Sequence, residues 1–403
     1  MTYNKMIKAT LLGAAVVLGA FPAMAAAQGL LPAQPGDLVA ERTISAERSV
    51  VANDERQPLT WFQPVAADEP LSFAVQPHQA ESREYWQRVD AAQLQAGYAL
   101  ALTSPSAVVM VSPGVRSRAL DVGQVQILRN GQALAFEQAA DTLVDAATLR
   151  QAGMEVAAGS IGFRLRPGLE GDAMLRIERA SGDYLVHVLE PESRHVLGLR
   201  AGTDTVHAGA SLQAALQLTG GTRLDAATAL LVAPDGRSWN MDLGRNGSQA
   251  RLQLPTDVPA QPGLWQIHAS TAAIDGQLAF QRDARTAIAV VVPTARLDGS
   301  LQRQANRREG GLVLGIGIEV ATAGRYELRG VLLGTDADGA EVPVGVAHAA
   351  NWLEPGSRTL NLSFPADAVA AVSAPWHLRD LRLSDQSAVA VIERRDRAAI
   401  IND

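Results

Sequence analysis

The sequence of 403 residues contains no cysteine. Disulfide staples and thiol catalysis are therefore excluded, as is a bacterial lipoprotein anchor, which needs a cysteine at the cleavage site. Burial of a core must hold the chain together. Aromatic residues make up only 4% of the chain, so the cores must be built mostly from Ala, Val, Leu and Ile. Lysine occurs only at Lys5 and Lys8. Common catalytic signatures are missing too: there is no Gly-x-Ser-x-Gly, no His-Glu-x-x-His and no phosphate loop. Gly315-Ile316-Gly317 sits inside a strand pattern, where a dinucleotide site would need a strand-to-helix turn and a third Gly.

What is present begins with an address. Lys5 and Lys8 precede an apolar run from Ala9 to Phe21, then Pro22 and the small residues Ala23-Met24-Ala25. This is the order of a secretory signal peptide, expected to span 1–27 with cleavage after Ala25 or Ala27. The run is shorter than the ~20 residues a membrane span needs, and no later stretch supplies one. Removing Lys5 and Lys8 from 35 basic residues leaves 33 against 42 acidic ones, a net charge of −9. Such a chain is poorly suited to nucleic acid, whose binding rests on neutralising phosphates. The Arg307-Arg308 and Arg394-Arg395 clusters, interleaved with acids, read as ion-paired surface.

Residues 28–82, rich in Gln, Pro, Ala and acids, are expected to form an extended, largely disordered lead-in. Two apolar patches interrupt it, Leu59-Thr60-Trp61-Phe62 and Leu71-Ser72-Phe73. They read as a strap across the first domain, or alternatively as a docking peptide. A β-rich domain is expected over 83–195, with a short helix capped by Asp90, a second capped by Asp145, and a hairpin at Asn130-Gly131. A β-sandwich is expected over 196–293, where Leu212, Ala214, Leu216 and Leu218 alternate. A second sandwich over 294–403 is carried by Leu312, Leu314, Ile316, Ile318 and Val320. The fold class is thus mainly β: tandem immunoglobulin-like β-sandwiches preceded by a β-rich domain with one or two short helices.

One pattern recurs in all three domains. Gly182-Asp183-Tyr184-Leu185-Val186, Gly263-Leu264-Trp265-Gln266-Ile267 and Gly324-Arg325-Tyr326-Glu327-Leu328 each read Gly, any residue, aromatic, any residue, aliphatic. In a strand the aromatic and the aliphatic share a face, so each copy is expected to feed one core.

Candidate site residues are few. Asp336 and Asp338 resemble the start of a calcium loop, but the sixth and twelfth positions hold Glu341 and Ala347 where Gly and Glu are needed, which favours a hairpin turn. His187, Glu190, Glu192 and His195 are the closest grouping of possible metal ligands, yet structural sites want three or four convergent groups. No metal or cofactor is expected. Trp239 and Trp265 share faces with aliphatics and read as core. Trp352 and Trp376, beside Pro355 and Pro375, read as loop residues and are the candidate contact surface.

Tyr85-Trp86-Gln87-Arg88-Val89, Leu94-Gln95-Ala96-Gly97, the Trp265 and Tyr326 motifs and Asn351-Trp352-Leu353-Glu354-Pro355-Gly356 together resemble an uncharacterised family of exported bacterial proteins. That family is a domain of unknown function in which immunoglobulin-like domains follow an N-terminal module. The likeness covers residues 85–403. The resemblance implies export, with type II secretion as the onward route, and supplies no catalytic residues. The expected function is that of an exported, non-enzymatic binding or adhesion protein, periplasmic or extracellular, whose partner is a protein or glycan of the cell envelope or a host surface. The alternatives are an exported hydrolase with its site in 83–195, and a structural spacer.

Overall fold

The computed structural model describes residues 29–48, 53–73, 75–171, 173–220, 224–258, 260–305 and 311–402. The expected signal peptide and Arg307-Arg308 lie outside them. The chain is mainly β, with antiparallel sheets stacked as sandwiches. Buried side chains gather into three main cores. One draws on residues between Tyr85 and Val188, one on residues between Leu197 and Val292 together with Ala388, and one on residues between Ala295 and Ile401. The recurring motif supplies a pair to each: Tyr184 with Val186, Trp265 with Ile267, and Tyr326 with Leu328 are all buried. The two tyrosines keep their hydroxyls satisfied in the core, Tyr184 on the Arg118 carbonyl at 2.9 Å and Tyr326 on the Thr322 carbonyl at 2.6 Å.

Local signals in the first unit act as their chemistry dictates. Asp90 caps the helix Ala91–Ala96 by accepting from the Gln93 amide, and the Gln93 side chain returns the bond to the Asp90 amide. Asp145 caps Ala146–Gln151 by accepting from both the amide and the hydroxyl of Thr148. Asn130 and Gly131 both adopt positive φ in the hairpin between Val125–Arg129 and Gln132–Leu134.

The first and second units are joined more tightly than a linker would join them. A single sheet runs from Ala140–Asp145 through Asp183–Leu189 and Glu84–Asp90 into Leu278–Val291 and Trp265–Asp275 of the second unit. The pairing across the seam is Asp283 with Glu84. Behind the seam Arg282 and Glu190, both fully buried, meet at 2.7 Å. Glu190 also accepts from the Thr103 and Ser104 amides, and Arg282 donates to the Ser193 hydroxyl and the His195 carbonyl. Glu190, one of the grouping of possible metal ligands in the sequence, is thus a core residue of the junction.

The lead-in departs most from expectation. It is ordered over its described residues, and it straps the third and second units rather than the first. Gly29 bridges Ser300, Leu38 bridges Arg394, and the Ile44 amide donates to the Pro293 carbonyl. Arg48 then enters the interior, where its guanidinium meets Asp385 at 2.6 Å with 6% and 2% of the two side chains exposed. It also reaches the Tyr326 hydroxyl and the Ala323 carbonyl. A Cβ on Gly324 would lie 2.5 Å from the Arg48 guanidinium, so the third motif copy uses its glycine for this close approach. Leu59–Pro64 adds an edge strand to Glu341–Leu353, placing Phe62 over Gly345, where a Cβ would come within 2.3 Å of its ring. Gln79–Ser82 adds to Leu197–Ala201 of the second unit. The third unit therefore stacks a sheet of Leu59–Pro64, Glu341–Leu353, Gly324–Thr335, Ser373–Asp385 and Ala390–Ile401 on one of Ala295–Ala305, Leu312–Val320 and Gly356–Phe364.

Replacing Arg48 by Ala strands the buried Asp385 carboxylate, and the expected loss is about 3–5 kcal/mol of unfolding free energy in urea titrations. A loss below about 1 kcal/mol would mean that the strap is not held there.

A second strap contact makes stability depend on pH. Glu393, fully buried, accepts from the Leu297 and Ala40 amides. Burial pushes its carboxyl from 4.5 up to about 7, against partial relief from Arg395. A carboxyl whose folded pKa is raised holds its proton more tightly in the folded chain. Its contribution favours folding at acid pH and is lost as pH rises through the interval between the two values. Stability measured by urea from pH 4.5 to 7.5 should fall by up to about 3 kcal/mol on account of this group. Glu393→Gln should flatten that fall; an unchanged slope would assign it to other groups.

Candidate functional site

Of the two tryptophans expected at the surface, the structure buries one. Trp376 is 8% exposed and packs in the third core. The sequence suggested a loop because Pro375 precedes it, but both lie within the first residues of strand Ser373–Asp385, where Pro is tolerated. Trp352 lies within strand Glu341–Leu353, half-buried on the outer face. Its indole donates to Glu354 at 2.9 Å, and Arg56 from the lead-in rests 4.2 Å from its ring centre.

The same outer face carries a tryptophan that the sequence reading placed in the lead-in patch. Cross-strand register sets three rows. Trp61, His348 and Arg329 form the first; Leu59, Ala350, Glu327 and Ser384 the second; Trp352 and Arg325 the third. Trp61 is 45% exposed, and its ring stacks on His348 at 3.8 Å with planes 10° apart. Behind it runs a chain of fixed polar groups. His348 Nδ1 lies 2.6 Å from Glu327 Oε1, and Gln386 donates to Glu327 Oε2 at 2.7 Å. Arg325 donates to Gln386 at 2.9 Å and to the Glu55 and Gln57 carbonyls. Beside Glu327 and Gln386 opens a depression of about 450 Å³, also lined by Asn53, Ser384 and Val389. Val389 is 67% exposed with φ +54°, a left-handed conformation that is strained for a β-branched side chain. The other half of the face is closed: Val331, Leu333 and Val346 are covered by Val65, Leu71 and Phe73.

The remaining candidates do not assemble. His187 pairs with Glu84 at 2.7 Å and stacks on Trp86, whereas His195 is buried against Phe280 and bonded to Asp275. Glu190 points into the junction and Glu192 is exposed. Among the described residues no three His, Asp or Glu side chains converge on a possible metal position. Asp336 spends one carboxylate oxygen on the Asp338 and Ala340 amides, closing the hairpin turn. Trp265 is core and Trp239 stacks on it at 5.2 Å, half-buried. At the seam Glu84 of the first unit pairs in register with Asp283 of the second, and Asp283 borders a shallow trough of about 220 Å³ beside Trp86. Burial pushes the Asp283 carboxyl up, while bonds from Ser270 and the Trp86 amide pull it down.

Trp61 and Trp376 should separate in their cost to the fold. Trp376→Ala should destabilise by about 3–5 kcal/mol, as truncation of a core aromatic does. Trp61→Ala should cost about 1 kcal/mol or less, since so much of the ring already faces water. Paired urea melts measure both, and equal costs would contradict the placement of Trp61 on an open face.

Comparison with known proteins places the whole architecture. No curated protein matches the chain in sequence. A crystal structure of a DUF4785 family protein from Legionella pneumophila superposes with a TM-score of 0.73 at 20% identity, covering 90% of this chain and 98% of that one, a likeness of fold. Fibronectin(III)-like modules of Clostridium thermocellum CbhA align over 51% of this chain and 94% of theirs at 12% identity, with a TM-score of only 0.21. Two family profiles match, the N-terminal domain of DUF4785 over residues 51–190 and its C-terminal domain over 294–402. With both terminal domains matched and the fold shared over 90% of its length, the chain belongs to the DUF4785 family, a domain of unknown function.

Proposed function

We propose that the protein is an exported, non-enzymatic binding protein that holds cell-envelope material through the open outer face of its third unit. The observation that carries this reading is the exposed Trp61 ring, backed by His348 and a fixed chain of polar groups beside an open depression. Exposed aromatic anchors with rigid polar neighbours are the parts from which binding surfaces draw their energy. Export, to the periplasm or onward by type II secretion, is supported by the order of Lys5, Lys8, the apolar run and Ala23-Met24-Ala25. The hydrolase alternative would place its site in 83–195; the carboxyl pair nearest to that, Glu84 with Asp283 of the second unit, lies at the seam, and the trough there is smaller than the ~300–1,000 Å³ typical of ligand pockets.

The test is retention of the purified chain on isolated cell-envelope fragments. Trp61→Ala should reduce retention about tenfold or more while leaving the far-UV circular dichroism and the melting temperature nearly unchanged. Retention that is absent, or indifferent to Trp61 and Trp352 alike, would overturn the reading.

A further inference from the structure

We propose that the ligand of this face is an uncharged saccharide chain, an inference that rests on the binding role proposed above.

The first reason is charge. Both Glu327 oxygens are engaged, one by His348 and one by Gln386, and Arg325 is spent on Gln386 and two lead-in carbonyls. Asp385, at the floor of the depression, is paired with Arg48 and accepts from the Thr294 hydroxyl and the Ala388 amide. The lining of the depression therefore meets its own ionic needs, and at the Trp352 end the exposed Arg56 and Glu354 face each other at 3.9 Å, so at either place a charged ligand would compete with a pair already formed.

The second reason is the mixture of surfaces. A carboxylate has more acceptor positions than its two partners fill, and the Gln386 amide and the Ser384 hydroxyl add both donors and acceptors. These hydroxyl-matching groups lie between apolar ones: Leu59, 53% exposed, and Trp61 on one side, and Val389 on the other. A sugar ring has this same division, with C–H faces that pack on apolar or aromatic surface and hydroxyls at its edge. Because Glu327 and Gln386 are already held by their neighbours, little of their side-chain freedom remains to be lost on binding.

The third reason is extent. The row of Trp61 and the row of Trp352 are four residues apart on one strand, about 13 Å at the usual rise of ~3.3 Å per residue. That is longer than one sugar ring, so the face fits a chain. Trp61 is the open platform, and Trp352, capped by Arg56, marks the far end of the track.

The experiment titrates the full chain with short neutral oligosaccharides of glucose, N-acetylglucosamine and mannose, and with acidic polygalacturonate fragments, at low and high salt. At least one neutral series should bind with an affinity indifferent to salt. Trp61→Ala should weaken it about tenfold or more, and Glu327→Gln should weaken it several-fold with the melting temperature held. Binding of the acidic fragments alone, no binding of any series, or neutral binding unchanged by Trp61→Ala would each overturn the proposal. Envelope fragments separate this failure from failure of the binding role. Retention that survives periodate cleavage of vicinal diols but is lost after protease treatment would keep the role and reject the saccharide. An absence of retention would reject both.

Discussion

The Arg48 guanidinium is the point on which the third unit depends. It brings the lead-in to one buried position in the third unit, where it meets Asp385, Tyr326 and the Ala323 carbonyl. Asp385 in turn accepts from Thr294, the first residue after Pro293. An ion pair so deep gains little over apolar packing of the same shape, because both charges have been taken out of water. What it supplies is register: with Asp385 and Gly324 fixed, the lead-in can cross at only one place. That crossing sets where residues 53–64 arrive, and with them Asn53, Arg56 and Trp61. The open face is thus built from two parts of the chain nearly 300 residues apart and is complete only when the strap is seated.

The same device closes the other junction. Arg282 and Glu190 fix the seam between the first and second units, backed by Thr103, Ser104 and Ser193. A chain without cysteine and with few aromatics has limited means of locking one sandwich against the next. Buried arginines, whose planar fork can serve several acceptors at once, meet that need. They hold position at the cost of desolvation, and every hydrogen-bonding group around them must be satisfied for the arrangement to be tolerable.

What the sequence made legible was whatever depends on near neighbours. The period-two run Leu312 to Val320, the capping by Asp90 and Asp145, and the three aromatic and aliphatic pairs all express local geometry, and each is present in the fold. The hydrogen-bonding fate of Asp336 was also readable, because a turn is settled within a few residues. The edge strand Leu59–Pro64 was not, since its partner Glu341–Leu353 lies far along the chain and its own alternation spans only six residues. The burial of Glu190 was not legible for a related reason. Nothing beside it in the chain announces it, and only the arrival of Arg282 makes it possible. Trp376 shows the limit of arguing from a neighbouring proline: Pro375 can sit near the start of a strand as well as in a loop, and the side chain then follows the strand inward.

The outer face of the third sheet shows how a strap can decide what is surface. Its two halves carry comparable apolar groups, with Val331, Leu333 and Val346 at one end and Leu59, Trp61 and Ala350 at the other. Residues 65–73 fold back over the first set and leave Leu59 and Trp61 of the second in water. Had aggregation been the only constraint, the same lead-in would be expected to cover the indole before the valines, because the larger apolar surface gains more from burial. Instead Trp61 is carried by the strap itself and held open against His348. An exposed aromatic on an edge strand is a liability for a chain of this kind. Its presence beside a preformed polar chain is the physical reason for reading this face, rather than the valine-lined half, as the one that meets a ligand.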